Sequence, residues 1–121
     1  MIQKEKGFMD KEIKKVTEKF LNNWKKKKWI KMVRYTQLTW RTLHKNNARW
    51  LESWFGLKNL EKWEVTKIKF VGDACRDVFV NINYGKGIKK IKARVICETG
   101  PYKPDIEGNW GVNPVSCLKE G

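Results

Sequence analysis

The chain has 121 residues, a length that fits one domain and can bury a core without help from a disulfide or a metal. Its 27 Lys/Arg against 13 Asp/Glu give a net charge of +14, and the excess is lopsided: residues 1–50 hold 15 cations against four acids, and the rest hold 12 against nine. That balance favours nucleic acid, an anionic surface or an acidic protein as partner, while the absence of any apolar run approaching ~18 residues speaks against a membrane-spanning helix.

In chain order, residues 1–9 read as a flexible leader with no apolar run, so a secretory signal is not expected, and Met9 is a second candidate for the native start. The expected single domain is 10–121. Asp10 is placed to cap a first helix over about 11–26, in which Ile13, Val16, Phe20 and Trp24 recur at helical spacing. Lys11, Lys14, Lys15 and Lys19 fall largely outside that stripe. Lys25, Lys26, Lys27 and Lys28 follow where the helix should end, a position the helix dipole itself favours for cations. A second short helix is expected around Trp29–Val33, then an irregular connector or helical turn through Tyr35–Trp40. Asn46 or Asn47 begins a third helix whose apolar face is Trp50, Leu51, Trp54 and Phe55, with Gly56 as a left-handed terminator.

After Gly56 the period changes from 3.6 to two. Thr66, Ile68 and Phe70 alternate with Lys67 and Lys69; Val78, Val80 and Ile82 alternate with Phe79, Asn81 and Asn83; Ile91, Ala93, Val95 and Cys97 alternate with Lys90, Lys92, Arg94 and Ile96. Tyr84-Gly85-Lys86-Gly87 signals a tight hairpin. A polar loop then leads to a last strand near Trp110–Leu118, which Pro114 confines to an edge or a bulge. The pattern predicts an α+β domain: three N-terminal helices packed on one face of a curved antiparallel sheet of about four strands.

Among residues that carry chemistry, Cys75, Cys97 and Cys117 are about twenty positions apart and none forms a C-x-x-C pair with which His44 could complete a zinc site. No metal or cofactor is expected, and an odd cysteine count suggests buried thiols in a reducing, cytoplasmic compartment. Asp77 and Glu98 are the candidate acids for proton transfer, with a surface ion pair and a cross-strand salt bridge as their structural alternatives. Two basic features suit a polyanion: Lys25–Lys28 with Trp24, Trp29 and Tyr35 interleaved, and the strand stripe Lys90, Lys92, Arg94, extended by Lys67 and Lys69 if the strands are neighbours. The same lysines also suit a solvated sheet face, and 22 of the 27 cations are lysine rather than the arginine that phosphate recognition favours.

The order of elements resembles the nuclear transport factor 2-like superfamily, whose α+β fold is cone-shaped. The residues that carry the resemblance are Trp24-Lys25-Lys26-Lys27-Lys28-Trp29-Ile30-Lys31-Met32-Val33-Arg34-Tyr35, Trp54-Phe55-Gly56 before a long strand, and Gly108-Asn109-Trp110-Gly111-Val112-Asn113-Pro114. It covers about residues 10–119. One scaffold there hosts isomerases, dehydratases, hydrolases and transport adaptors, so the resemblance implies a fold more than an activity. It places Tyr35, Trp40, Trp54 and Trp110 near the space between helices and sheet, where a small apolar ligand or a protein partner would bind. It also implies homodimerisation through the outer sheet face, which the cations on that face would oppose. Three readings follow: a non-enzymatic ligand-binding or interaction domain, a polyanion-binding module, and a proton-transfer enzyme.

Overall fold

The computed structural model describes residues 2–85 and 87–119, with side chains from Met9 onward. Four helices come first: α1 (Ile2–Lys25), α2 (Trp29–Val33), α3 (Leu38–Leu43) and α4 (Asn47–Phe55). An antiparallel sheet follows, built from β1 (Lys62–Gly72), β2 (Cys75–Asn83), β3 (Ile88–Gly100), β4 (Lys103–Pro104) and β5 (Asn109–Val112), and a 3-10 turn spans Pro114–Leu118. The strands run β1-β2-β3, with both β4 and β5 pairing on the far side of β3.

The apolar stripe of α1 is buried as its spacing requires, since Ile13, Phe20 and Trp24 join the core while Lys11, Lys14, Lys15 and Lys19 stay exposed. Helical backbone begins at Ile2, so most of the segment expected as a leader belongs to α1 and Asp10 lies inside the helix instead of capping it. Met1 lies outside the described residues. Of the connector or helical turn expected through Tyr35–Trp40, the helical alternative holds and is longer than expected: Thr36 pairs with Val112 and the chain then turns into α3, Leu38–Leu43. Asn46, in the left-handed region, precedes α4 without a side-chain cap. Gly56 departs from the expectation: its backbone is right-handed helical, and a side chain there would strike the Glu52 carbonyl.

In the sheet, Val78, Val80 and Ile82 of β2 oppose Ala93, Ile91 and Lys89 of β3, which buries one face against the helices. The strand-to-strand register of β1 slips between Val65 and Lys67. The extra residue of that bulge shifts the alternation, so Trp63, Val65 and Ile68 pack on the core; Phe70, farther along opposite Arg76, is exposed although it shares the face of Ile68. β2 and β3 pair antiparallel from Asn83 and Ile88 onward, as the expected hairpin requires, with Gly85 and Gly87 at positive φ; Lys86 lies outside the described residues. The last strand is shorter than expected. It ends at Val112, where Asn113 accepts from the Val115 N–H and Pro114, lacking a donor of its own, opens the 3-10 turn.

Cys117 on that turn is buried, and desolvation pushes its thiol up to about 12. The folded state therefore holds this proton more tightly than the unfolded chain, whose thiol titrates near ~8.5. The stability involved is intact below that value and drains as pH rises toward 12, by about 2–3 kcal/mol at pH ~10.5. Chemical denaturation of the protein and of Cys117→Ala at pH ~8 and ~10.5 should show a flatter pH dependence in the variant; equal slopes would mean the thiol is not buried as described.

Candidate functional site

The four aromatic residues expected to share a cleft divide into two groups. Trp40 and Trp54 lie in a cluster on α3 and α4 with His44 and Trp50: His44 stacks on Trp40 at 5.1 Å and meets Trp50 and Trp54 edge-on at 5.8 and 5.7 Å. His44 follows α3 in a polar stretch, and the helical turn from Trp40, whose carbonyl receives the His44 N–H, folds the ring back among the tryptophans. The Trp40 indole nitrogen is buried without a hydrogen-bond partner among the described residues.

Tyr35 and Trp110 belong together, in an open cleft of about 440 Å³ between α1, the end of α2, α3 and β5. Its cations are Lys15 and Lys19 from α1, Arg34 after α2, and Arg41 from α3; Glu12 is its one lining acid. The Lys19 ammonium stands 5.7 Å from the centroid of the Tyr35 ring. Arg41 donates through Nε and Nη2 to the Thr36 carbonyl, at 3.2 and 2.8 Å, which fixes its fork in the cleft wall. Burial lowers the Arg41 pKa and the charge of Glu98 works in the opposite sense. Trp110 is held from one side by Arg76, whose guanidinium lies 5.5 Å from the Trp110 ring and 4.5 Å from that of Phe70. Arg76 is itself tied to the carbonyls of Gly72, Asp73 and Cys75, so the indole packs on a fixed group.

Across the ridge of α1 lies a second open cleft, of about 480 Å³, floored by Trp63 of β1. Lys15 and Lys19 line both clefts; Lys11 and Lys14 complete the cations of the second, and Glu18 is its acid. The Trp63 indole N–H points to that Glu18 carboxylate at 3.4 Å. Each cleft therefore sets four cations against one acid around at least one half-buried aromatic ring. The helical periodicity alone places these lysines only outside the apolar stripe of α1. A signal was present in Lys11, Lys15 and Lys19, a like-charge ladder at i, i+4 spacing that costs a helix stability.

The other candidates are dispersed. Lys25, Lys26, Lys27 and Lys28 are exposed at the end of α1, with the Lys27 ammonium 3.5 Å from the Gly56 carbonyl. Lys90 and Lys92 project from the sheet face turned away from the helices, where the register places Lys92 and Lys67 on either side of Phe79. Arg94 shares that face but is engaged: it grips its cross-strand partner Asp77 through two bonds of 2.9 and 3.1 Å, which raises the Arg94 pKa. Among the described residues this is the one ion pair.

Asp77 is thus a bidentate partner buried under Arg94. Glu98 is only 2% exposed, and it sits beyond the part of β3 that pairs with β2. Among the described residues no lysine or arginine forms a salt bridge with it; its carboxylate accepts from the Thr39 N–H at 3.0 Å and from the Thr39 hydroxyl. The Thr39 amide is one of the free donors of the first turn of α3, so Glu98 closes that helix end and holds α3 against the sheet. Both acids have every carboxylate oxygen engaged by protein. No group of His, Cys, Asp and Glu among the described residues could hold a metal ion. No helix there is long and apolar enough to cross a membrane. No protein-family model matches the chain, and no curated protein matches it.

Proposed function

We propose that the chain is a binding domain of the cone-shaped, nuclear transport factor 2-like kind whose clefts beside α1 take an anionic polymer. The convergence of Lys15, Lys19, Arg34 and Arg41 on one cleft carries this reading. Cations drawn from α1, from α3 and from the residue that ends α2 repel one another, and a structure that holds them together around Tyr35 and Trp110 is stabilised when a polyanion neutralises them. This shifts the expected ligand from apolar to anionic. The fold reading is supported by the helix order, by the long first helix lying over the sheet between β1 and β5, and by the closing strand at Asn109–Val112.

Such binding releases counterions, so it should be tightest at low salt and fall steeply as salt rises. With about five anionic contacts, affinity should drop roughly a hundredfold between ~50 and ~200 mM salt. Titration with heparin and with oligonucleotides, followed by tryptophan fluorescence, measures this. The double substitution Lys15→Gln, Lys19→Gln should weaken binding and make the salt dependence shallower. If neither polymer binds at ~20 mM salt, the proposal fails.

A further inference from the structure

Resting on that reading, we infer that the occupant is a single-stranded nucleic acid, laid across the lysine ridge of α1 with bases stacked on Trp110 and Trp63. Electrostatics alone would not distinguish nucleic acid from any other polyanion; the aromatic rings do. Trp110 with Tyr35 stands in one cleft and Trp63 in the other, and Lys15 and Lys19 stand between them, lining both. Alternating rings and cations match a chain that alternates bases and phosphates.

The rings are also prepared for stacking. Arg76 packs over Trp110 while the indole still lines the open cleft, and the Trp63 nitrogen is occupied by Glu18, so neither ring needs to be ordered when a base arrives. A platform fixed in advance loses little entropy on binding. The clefts are concave and their rings only half exposed, which fits unpaired bases on a flexible strand. A duplex keeps its bases stacked inside and would gain nothing from recessed indoles. An anionic bilayer offers charge on a plane that those rings do not reach.

The wild-type protein can be tested first, at fixed low salt, against four probes: an oligothymidylate of ~12 nucleotides, an abasic strand of the same length, a duplex, and vesicles of mixed neutral and anionic phospholipid. The oligothymidylate should quench tryptophan fluorescence and bind about tenfold or more tighter than the abasic strand, which has the phosphates and no bases. Trp110→Ala and Trp63→Ala should each remove most of the preference for the oligothymidylate over the abasic strand, and a cooperative urea transition reports that each variant is folded. Equal binding of abasic and normal strands, or a preference for duplex or vesicles, overturns the inference and leaves polyanion binding standing. Failure of every polyanion to bind at low salt overturns the underlying reading instead.

Discussion

Replacing Gly111 with alanine is expected to cost about 3–5 kcal/mol and to lower the melting temperature by roughly 10–20 °C. The reason is a backbone seam. A Cβ on Gly111 would collide with the Thr36 carbonyl oxygen and stand 2.6 Å from its carbon and 2.7 Å from the Gln37 nitrogen. None of these atoms can swing aside as a side chain can. They also belong to the contact that attaches the end of β5 to the chain between α2 and α3: the Val112 N–H donates to Tyr35 at 2.8 Å, and the Gln37 N–H donates to Val112 at 2.9 Å. Pushing the two backbones apart stretches both bonds at once in a region where Thr36 and Val112 are fully buried. Gly72 supplies the control, because a Cβ there meets nothing within 4 Å; Gly72→Ala should change stability by less than about 1 kcal/mol. Differential scanning calorimetry of the two variants reads the contrast directly, and a Gly111→Ala protein as stable as the Gly72→Ala protein would mean that the seam is looser than described. The same substitution should disturb binding, since Trp110 and Tyr35 flank the seam and form adjoining walls of one cleft.

The segment Gly108–Pro114 shows how local pattern can report tertiary geometry. Its motif singled it out in the sequence, and most positions now have a physical reason. Gly108 and Gly111 allow close backbone approaches to Glu98 and Thr36. Trp110 lines the cleft, Val112 enters the core, Asn113 caps the next turn and Pro114 opens it. The change of period after Gly56 likewise separates helices from strands where the structure does. What was not legible depended on registers and crossings that no local window contains. The bulge at Thr66 turns β1 by one residue, and only pairing with β2 reveals it. Glu98 continues the alternation of Lys92 and Arg94, yet it is buried because α3 covers β3 beyond the reach of β2. The site was partly visible for the same reason. Tyr35 and Trp110 could be nominated as aromatic residues, whereas Arg34 and Arg41 join Lys15 and Lys19 only once α1 and α3 have docked. Conversely, the four-lysine run at 25–28 is the densest charge in the sequence, but it stands at a helix end apart from these clefts, and Arg94 is bound to Asp77.

The core position with the most to lose is Trp24, and the way it loses stability can be divided. Its indole is 1% exposed and tilts against Phe55 at a centroid distance of 4.8 Å. Its N–H donates to the Phe55 carbonyl at 3.1 Å and to the Lys58 carbonyl at 3.0 Å. Those acceptors lie at and just after the C-terminal end of α4, where carbonyls have no partner within the helix. Trp24 thus joins α1 to α4 both by packing and by closing the helix end. Trp24→Ala removes both, and about 3–5 kcal/mol is expected from the cavity and lost transfer energy alone. That is a large share of the total stability of a domain of this size, so this variant should be poorly folded at 37 °C. Trp24→Phe keeps most of the apolar volume, leaves the Lys58 carbonyl without the indole donor and the Phe55 carbonyl with the Lys58 N–H alone, and should cost about 1–3 kcal/mol. Urea denaturation separates the two contributions, with the alanine variant expected to lose clearly more. If Trp24→Phe proved as damaging as Trp24→Ala, the hydrogen bond at the end of α4 would outweigh packing. If it proved neutral, apolar packing, including the edge-on meeting of Phe20 and Phe55 at 5.9 Å, would carry the contact of α1 with α4. The position of α4 also sets Trp50 and Trp54, whose rings close around His44 on the other side of the same helix. A change in tryptophan emission on Trp24→Phe beyond the loss of one indole would therefore show that the aromatic cluster moves with the helix.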